Sequence, residues 1–393
     1  MRSILSRIKG DKVIWIVVAL LSIFSILAVY SSTGTLAYRY QSGNTEYYLI
    51  KHFGILLLGL LLMFVAHMIP YKYYARISQL AIWLSVPLLL YTLMFGTNLN
   101  EASRWYTLPL INITFQPSDL AKLALIIYVA RLLSKKQEDI LDFKKGFVSV
   151  MIPILLITGL ILPTNFSTAA MIFSTCLVLM FVGRVKFTYL LYLVLMGVAG
   201  FGLLILLAVN SPKLSGRFGT WQNRIESFTS DESDANYQVE QAKIAIAGGG
   251  LFGKMPGNSV QKNFLPHPYS DFIFAIIIEE FGLAGGSLVV LLYLILLFRA
   301  VKIVIKSPRN FAAFLTFGVA FSLVFQAMVN MMVAVNLLPV TGQTLPLISM
   351  GGTSIWFTSI AIGIILSVSR EIEASEAESN ETIKEDEHVV AEA

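Results

Sequence analysis

Three carboxylates at the start of one apolar segment are the first candidates for chemistry in this chain. Asp271 lies where the long polar loop of the sequence meets that segment, and Glu279 and Glu280 follow eight and nine residues later, inside it. An ionised group at membrane depth costs about 2.5–3.5 kcal/mol on insertion scales, so carboxylates there are functional candidates by default. Asp271, at the boundary with water, can accept a proton or can cap its helix. The residues alone leave both readings open.

The two glutamates cannot share one helix face with Asp271. On a helix that starts at Asp271, Glu279 lies about 80° around the axis and about 12 Å deeper, whereas Glu280 points to the opposite side. We therefore expect Glu280 to bind buried donors of neighbouring helices. For Glu279 such binding is the alternative to a chemical role.

A second polar cluster opens an earlier apolar run. Gln116 precedes Pro117, which suits the first helical position, and Ser118 and Asp119 can each reach Lys122 within one helical turn. Lys122 could hold a phosphate group near the start of this helix, where the partially positive helix end also favours anions. The alternative is an Asp119–Lys122 pair that only joins helices.

Two loops supply further basic side chains. Arg104 stands beside Trp105 and is either a phosphate contact or an interfacial anchor. Residues 248–250 are glycines, and Lys254 and Lys262 follow them. Such a loop could cradle a phosphate, although a flexible connection is the default reading of glycines.

The last apolar run begins irregularly, with Pro346, Ser349 and Gly351 inside its first residues. Irregular backbone at membrane depth is tolerated only where it is buried in protein or lines a cavity. This segment is therefore either a close helix contact or a cavity wall. Gln326 and Asn330, four residues apart in the preceding run, are expected to form interhelical hydrogen bonds.

The elements that must position these residues are membrane helices. The 393-residue chain is 56% hydrophobic and 13% charged, and its mean hydropathy is +0.72. This composition excludes an ordinary soluble domain and predicts an all-α, polytopic integral membrane protein. About ten runs approach the ~20 residues that a spanning helix needs. They are 13–33, 47–69, 77–95, 116–134, 147–163, 168–183, 187–209, 272–298, 311–334 and 345–368.

Basic residues concentrate in alternate short loops, and by the positive-inside rule this pattern predicts cytoplasmic N- and C-termini. The large loop at 210–270, between spans seven and eight, then lies outside, as do the polar starts of spans four, eight and ten. Within this loop, residues 237–247 have the amphipathic pattern of a helix on a membrane surface. We predict a membrane domain at 1–369 and an acidic, disordered cytoplasmic tail at 370–393.

Several function classes are not supported by the sequence. The net charge of +5 is explained by topology, so nucleic-acid binding is not expected. The single cysteine, Cys176, lies in an apolar run and is expected to pack there. We find no P-loop, metal-ligand cluster or Ser-His-Asp spacing. The residues alone thus indicate a basic, carboxylate-bearing cavity that opens to the outer leaflet and suits an anionic, lipid-linked substrate.

A set of ordered stretches between residues 13 and 369 resembles the SEDS family (shape, elongation, division and sporulation) of cell-wall proteins. Residues 257–262 are more similar to its division-type FtsW members than to its elongation-type RodA members. The stretches that carry the resemblance are Arg104-Trp105, 115–122, 224–228, 248–253, 270–275, Glu279-Glu280 and 345–352.

The resemblance implies a peptidoglycan glycosyltransferase of the bacterial cytoplasmic membrane. Such an enzyme polymerises lipid II on the outer face of that membrane and releases undecaprenyl diphosphate. A class B penicillin-binding protein is its expected crosslinking partner, together with other divisome membrane proteins. No cofactor is firmly implied, although a divalent cation, Mg²⁺ or Mn²⁺, would be compatible with the reaction.

The resemblance also assigns roles to individual residues. Asp271 matches the family's essential aspartate and would act as general base on the 4-hydroxyl of the acceptor's N-acetylglucosamine. Lys122 and Arg104 would hold the leaving diphosphate, where preorganised charge is effective. The other assigned residues are Gln116, Ser118 and Lys262 for substrate binding, and Asp119, Glu279, Glu280, Ser349 and Gly351 for support.

Two positions depart from the family pattern, and other functions stay open. Asn165 stands where an acidic residue is frequent, and His267 stands where a glutamate is frequent, so neither receives a catalytic role.

A lipid II flippase is the main alternative function, with Glu279 and Glu280 coupling transport to protons. A scaffold that recruits a transpeptidase without enzyme activity is another, and an elongation-type polymerase is the alternative within the family.

Overall fold

The computed structural model describes residues 9–40, 42–95, 97–99, 102–108, 113–210 and 234–392, and a bundle of long helices dominates them. Each predicted apolar run corresponds to a helix, although the third begins at residue 71 rather than 77 and the last at 353 rather than 345. The helices are α1 (Lys12–Ser32), α2 (Gly34–Tyr40), α3 (Thr45–Met68), α4 (Tyr71–Phe95), α5 (Pro117–Lys135), α6 (Ser149–Ile161), α7 (Phe166–Val182), α8 (Phe187–Asn210), α9 (Asp234–Gly249), α10 (Ile273–Lys306), α11 (Asn310–Ala334) and α12 (Thr353–Glu392).

A small antiparallel sheet lies between α4 and α5, and the all-α prediction missed it. Its strands are β1 (Thr97–Leu99), β2 (Ala102–Leu108) and β3 (Ile113–Phe115), in the order β1-β2-β3. Phe115 pairs with Tyr106, and Trp105 pairs with Thr97. Threonine and aromatic residues favour strands, but these strands are too short to stand out in a search for 20-residue apolar runs.

Within the described residues, seven helices are long and apolar enough to cross a membrane. They are α1, α3, α4, a π-helix (Phe143–Val148) joined to α6, α10, α11 and the first part of α12. α7 and the start of α8 are shorter apolar helices, and α5 carries Asp119, Lys122 and Arg131. The prediction of a polytopic helical membrane protein is therefore confirmed.

α11 is the central helix of the bundle. About 72% of its apolar window is buried, against 22% for α4 at the periphery. It packs against α5, α7, α10 and α12, while α12 also packs along α3. Polar side chains of α11 are therefore placed to form hydrogen bonds with several neighbouring elements.

The start of α1 is tied to the ends of two later helices. Asp11 caps α1 by accepting hydrogen bonds from the backbone N–H groups of Val13 and Ile14. The same carboxylate pairs with Arg299 of α10 at 2.5 Å, and the Asp11 N–H donates to Ser369 Oγ of α12 at 3.0 Å. These contacts fix one end of the bundle.

The acidic tail differs from its prediction, because residues 370–392 continue α12 as helix. Glutamate and alanine are frequent in this segment and both favour helix. Exposed ion pairs also join its first part to neighbouring helices: Lys72 to Glu371 at 3.3 Å and Lys306 to Glu376 at 3.1 Å. Disorder was thus the wrong expectation for the backbone of this segment.

Candidate active site

Asp271 lies immediately before α10 and is held from two sides. Ser270 Oγ donates to Asp271 Oδ1 at 2.6 Å, and Asn330 Nδ2 of α11 donates to the Asp271 backbone oxygen at 2.9 Å. The cap residue of α10 is Phe272. Asp271 is therefore not the N-cap residue that the alternative reading required, and its carboxylate stays a candidate for chemistry.

The irregular segment before α12 lies directly against Asp271. Ser349 Oγ donates to the Ser270 backbone oxygen at 2.6 Å and accepts from the Leu345 N–H at 2.8 Å. The Met350 N–H donates to the Tyr269 backbone oxygen at 2.9 Å. Because Ser349 is buried, this backbone is tolerated at membrane depth by being enclosed in protein, and Ser349 holds the turn that carries Asp271.

Two side chains that were not candidates in the sequence also hold this segment. Tyr293 of α10 donates its hydroxyl to the Pro346 backbone oxygen at 2.5 Å, and Ser25 of α1 donates to the Ile348 backbone oxygen at 2.9 Å. Ser25 Oγ also lies 2.8 Å from the Nε2 of the buried His52. Helices α1, α3 and α10 thereby share in positioning the segment.

α11 links Asp271 to Lys122 through two amide side chains one turn apart. Lys122 Nζ donates to Gln326 Oε1 at 2.7 Å, and Gln326 Nε2 donates to the Thr344 backbone oxygen at 2.9 Å. Asn330, which holds the backbone of Asp271, also donates to the Gln343 oxygen at 2.7 Å. Residues four apart on a helix lie on one face about 6 Å apart, so both candidate groups are attached to the same face of α11.

Lys122 and Asp119 line a cavity between α5, α11 and α12. Lys122 directs its ammonium to Gln326, and among the ion pairs of the described residues none joins it to Asp119 within 4 Å. Asp119 Oδ2 is buried without a hydrogen-bond partner. The other lining residues are largely apolar: Leu123, Ile126, Val319, Ser322, Leu323, Ser354, Phe357, Thr358 and Ala361.

The remaining predicted residues near this cavity have simpler surroundings. Gln116 Nε2 donates to Ser118 Oγ at 2.8 Å, and the Gln116 N–H lies 3.4 Å from Thr353 Oγ1 of α12. Gly351 is buried just before α12. Arg104 belongs to β2, but its side chain lies outside the described set.

Glu279 and Glu280 are fully buried and bind the loop that follows α9. Glu279 accepts hydrogen bonds from Lys254 Nζ at 2.8 Å, from Ser259 Oγ, and from the backbone N–H groups of Val260 and Gln261 at 3.0 and 3.2 Å. This is the buried pairing that the sequence left as the alternative to chemistry. We call residues 249–262 the 249–262 loop.

Glu280 points to another side, as the helical geometry predicted. Its carboxylate accepts from Ser31 Oγ of α1 and from the Ser259 N–H at 3.3 Å. Both glutamates thus fix the 249–262 loop against α10, and Glu280 also joins that loop to α1.

The backbone of α10 is broken at Gly282, and the 249–262 loop fills the break. Gly282 has a φ of 71°, and the N–H groups of Leu283 and Ala284 donate to the oxygens of Gly250 and Leu251 at 2.8 and 3.2 Å. In return, the N–H groups of Lys254 and Met255 donate to the oxygens of Glu279 and Glu280 at 2.9 and 3.0 Å.

These reciprocal hydrogen bonds between two backbones explain why the loop contains glycines. A Cβ at Gly253 would overlap the backbone oxygen of Glu280, and a Cβ at Gly249 would overlap that of Ile278. The glycines allow two backbones to approach closely. The glycines thus serve a close contact between two backbones rather than a flexible connection, and phosphate binding by the loop stays a prediction.

Lys254 and Lys262 both belong to this contact rather than to the cavity. Lys254 pairs with Glu279, and Lys262 Nζ donates to the Gly257 oxygen at 2.7 Å and lies 3.5 Å from Ser31 Oγ. The structure thus attaches Asp271 and Lys122 to α11, with Asp119 in the cavity beside it, and Ser349 holds the turn that carries Asp271. Gln116 and Ser118 lie at the start of α5 against α12, and Lys262, Glu279 and Glu280 form a separate contact.

Comparisons with known proteins agree with these features. The family model FtsW/RodA/SpoVE, described as "Cell cycle protein", matches residues 11–374. The chain belongs to this family.

Relatives and solved structures cover nearly the whole chain. Stage V sporulation protein E of Bacillus subtilis is 31% identical over 370 residues, which are 93% of this chain and 98% of that protein. The probable peptidoglycan glycosyltransferase FtsW of Coxiella burnetii is 35% identical over 373 residues, covering 91% and 96%. A chain of a peptidoglycan synthase complex, studied for its coordination of polymerization and crosslinking, superposes with a TM-score of 0.72 at 25% identity, covering 92% and 98%. The rod shape determining protein RodA of Thermus thermophilus has a TM-score of 0.67 at 25% identity, covering 92% and 97%.

In this FtsW/RodA/SpoVE member, the residues that sequence reasoning missed are mostly supporting ones. Ser25, His52 and Tyr293 gave no signal, because single polar residues in apolar runs have no pattern that names their partners. The glycines of the 249–262 loop were visible in the sequence, but they did not indicate which backbone they approach. A divalent cation stays untested, and among the described residues no group of three or more His, Cys, Asp or Glu could hold one.

Proposed function

We propose that this chain is a peptidoglycan glycosyltransferase that polymerises lipid II at the outer face of the bacterial cytoplasmic membrane and releases undecaprenyl diphosphate. Its membership of the FtsW/RodA/SpoVE family supports this. So do several relatives named as probable peptidoglycan glycosyltransferases and the match to a chain of a peptidoglycan synthase complex.

The observation that carries the proposal is the joint attachment of Asp271 and Lys122 to one face of α11. Asn330 holds the backbone of Asp271 at 2.9 Å, and Gln326 holds the Lys122 ammonium at 2.7 Å. Gln326 and Asn330 are one helical turn apart, so α11 positions a residue with a carboxylate and a residue with a cation. Such a pair suits a transfer in which one end of the reaction loses a proton and the other gains negative charge.

The roles follow from the charges. Asp271 removes the proton from the 4-hydroxyl of the acceptor's N-acetylglucosamine, and the resulting oxygen attacks the anomeric carbon of the donor. The bond from that carbon to the diphosphate breaks, and the leaving group carries the electron pair. Lys122 stabilises the diphosphate with its ammonium group, whose hydrogen-bond acceptor Gln326 is neutral. Arg104, Gln116 and Ser118 bind the same end of the substrate.

The cellular setting belongs to the same proposal. The basic loops favour cytoplasmic termini and an outward-facing site, and the resemblance of residues 257–262 to FtsW favours septal wall synthesis in division. A class B penicillin-binding protein is the proposed crosslinking partner, which is consistent with the coordination of polymerization and crosslinking in the related synthase complex.

The test is polymerisation of labelled lipid II by the purified protein with its penicillin-binding partner. Asp271→Asn keeps the shape of the side chain but removes the base, so glycan polymer should fall by about 10²–10⁴-fold. Asp139→Asn is the matched control, because Asp139 is exposed in the turn after α5 and its replacement should leave activity unchanged. Lipid II that crosses vesicles without forming polymer would instead favour the flippase. Unchanged polymer formation by Asp271→Asn would refute the assignment of the base.

A further inference from the structure

An exposed apolar patch lies on the 249–262 loop, outside the proposed active site. The exposed fractions of Leu251, Phe252 and Met255 are 65%, 83% and 67%. Three large apolar side chains exposed together on one loop are unfavourable in water. Such patches mark surfaces that a partner or a membrane covers. The question is which environment covers this one.

The depth of the loop in the membrane follows from two contacts between α1 and α10, one near each end of α1. Asp11 and Arg299 form an ion pair between α1 and α10, and Ser31 and Glu280 form a hydrogen bond between the same helices. At 1.5 Å per residue, the separation is about 30 Å along α1 and about 28 Å along α10. A hydrocarbon core is about 30 Å thick.

The two contacts therefore lie at opposite edges of the hydrocarbon core. An ion pair with a partly exposed arginine belongs at a water boundary, which places Asp11 and Arg299 at one edge. Glu280 and the 249–262 loop that it binds then lie at the other edge. Because the loop oxygens of Gly250 and Leu251 accept from Leu283 and Ala284, the loop descends alongside the start of the membrane part of α10.

The patch is continuous with the outer surface of α10. Leu283, adjacent to the loop, is 52% exposed, and the exposed fractions of Leu288 and Leu291 further along the helix are 41% and 51%. An apolar surface along a spanning helix faces lipid. The patch on the loop extends that surface by one more turn at its upper end.

The backbone of the loop is bonded to the rest of the protein at three consecutive residues. The N–H groups of Gly253, Lys254 and Met255 donate to backbone oxygens of Gly249, Glu279 and Glu280. The only ionised side chain between Leu251 and Met255, Lys254, turns inward to Glu279. Unbonded backbone polar groups are not tolerated in hydrocarbon. At these three residues the N–H groups are bonded within the protein, while the side chains of Leu251, Phe252 and Met255 are exposed.

We propose that the 249–262 loop inserts Leu251, Phe252 and Met255 into the lipid hydrocarbon at the membrane edge opposite the N-terminus. The loop is thereby an interfacial anchor beside the segment that leads to Asp271. The occupant of the patch is lipid, rather than a second copy of the chain or a helix of another protein.

A spin label at Phe252 tests this inference in the full chain. Cys176 is the single cysteine and is fully buried, so Phe252→Cys can be labelled selectively, and the exposed Phe252 side chain contributes little packing. The protein is placed in nanodiscs of phosphatidylethanolamine and phosphatidylglycerol. Collisions of the label with oxygen, which enters hydrocarbon, are compared with collisions with a polar nickel complex, which stays in water.

Two labelled positions calibrate the measurement. Leu288→Cys on the outer surface of α10 reports hydrocarbon, and Glu138→Cys in the exposed turn after α5 reports water. We expect the oxygen-to-nickel ratio at Phe252 to match that at Leu288 and to exceed that at Glu138 by about tenfold, because hydrocarbon excludes polar solutes. A ratio equal to that at Glu138 would overturn the inference. Protection of the label from both reagents would also overturn it, since protein would then cover the patch.

Discussion

Glu279→Gln is the substitution that most directly tests how the 249–262 loop is held. Glu279 is fully buried, and its carboxylate accepts from Lys254 Nζ, Ser259 Oγ and the N–H groups of Val260 and Gln261. Glutamine keeps the size of the side chain but removes the charge and turns an amide N–H₂ toward donors. The loop should consequently detach from α10 more often, without a change elsewhere in the bundle.

The magnitude follows from the environment of the pair. Breaking a buried ion pair from one side costs about 3–5 kcal/mol. Lys254 is 37% exposed and can be hydrated once released, so we take the lower end, about 3 kcal/mol. A difference of that size raises the population of the detached loop by about 100-fold, since each 1.4 kcal/mol is a factor of ten.

Hydrogen exchange followed by mass spectrometry measures this local opening. Amides of the 249–262 loop in Glu279→Gln should exchange about 100-fold faster than in the parent protein, while amides of α11 keep their rates. Glu240→Gln on the exposed side of α9 is the matched control and should change nothing. If Glu279→Gln leaves the exchange of Lys254 and Met255 within about threefold of the parent, the carboxylate does not hold the loop and the reasoning fails.

Three further substitutions test other contacts. Gly253→Ala should destabilise the loop by at least about 2 kcal/mol more than Gly257→Ala. Both glycines have positive φ, but only at Gly253 would a Cβ overlap backbone atoms. Equal rates of amide hydrogen exchange in the loops of the two variants would contradict this. Gln326→Leu removes the acceptor of the α5 lysine and should lower lipid II polymerisation by about 10²-fold, with protein yield and thermal midpoint as controls; full activity would mean that the lysine needs no such support. Asp11→Asn keeps the cap of α1 but loses the charge facing Arg299. Because Asp11 is buried and Arg299 is only partly exposed, it should lower stability by about 3 kcal/mol, seen as a reduced thermal midpoint in detergent; an unchanged midpoint would show that the ion pair contributes nothing.

The positions of the helices and of Asp271 and Lys122 were predictable because their signals are local. Long apolar runs have one physical solution in a bilayer, and a carboxylate or ammonium at the end of such a run is costly enough to stand out. Gln326 was correctly expected to bond to another helix, whereas Asn330 bonds to the segments before α10 and α12. Which residues they join was not predictable, since their partners lie on other elements.

The role of the 249–262 loop could not be predicted from the sequence, for a different reason. Its glycines were visible, but a glycine signals either freedom of the backbone or close approach, and only the partner distinguishes the two. That partner is the break of α10 at Gly282, about thirty residues away, inside what the sequence presents as an uninterrupted apolar run. The short sheet at 97–115 was missed similarly, because its strands are stabilised by pairing with each other rather than by length.

The contacts of Glu279 also argue against its use in a proton-coupled transporter. A carboxylate that couples transport must gain and lose a proton while it moves between environments. Glu279 is instead held by four donors, one of them a lysine, and protonation would leave these donors without an anionic acceptor and release the loop. Its charge therefore holds the backbone of the loop at the break in α10. Asp271, immediately before the same helix, therefore stays our proposed group for taking a proton from a substrate.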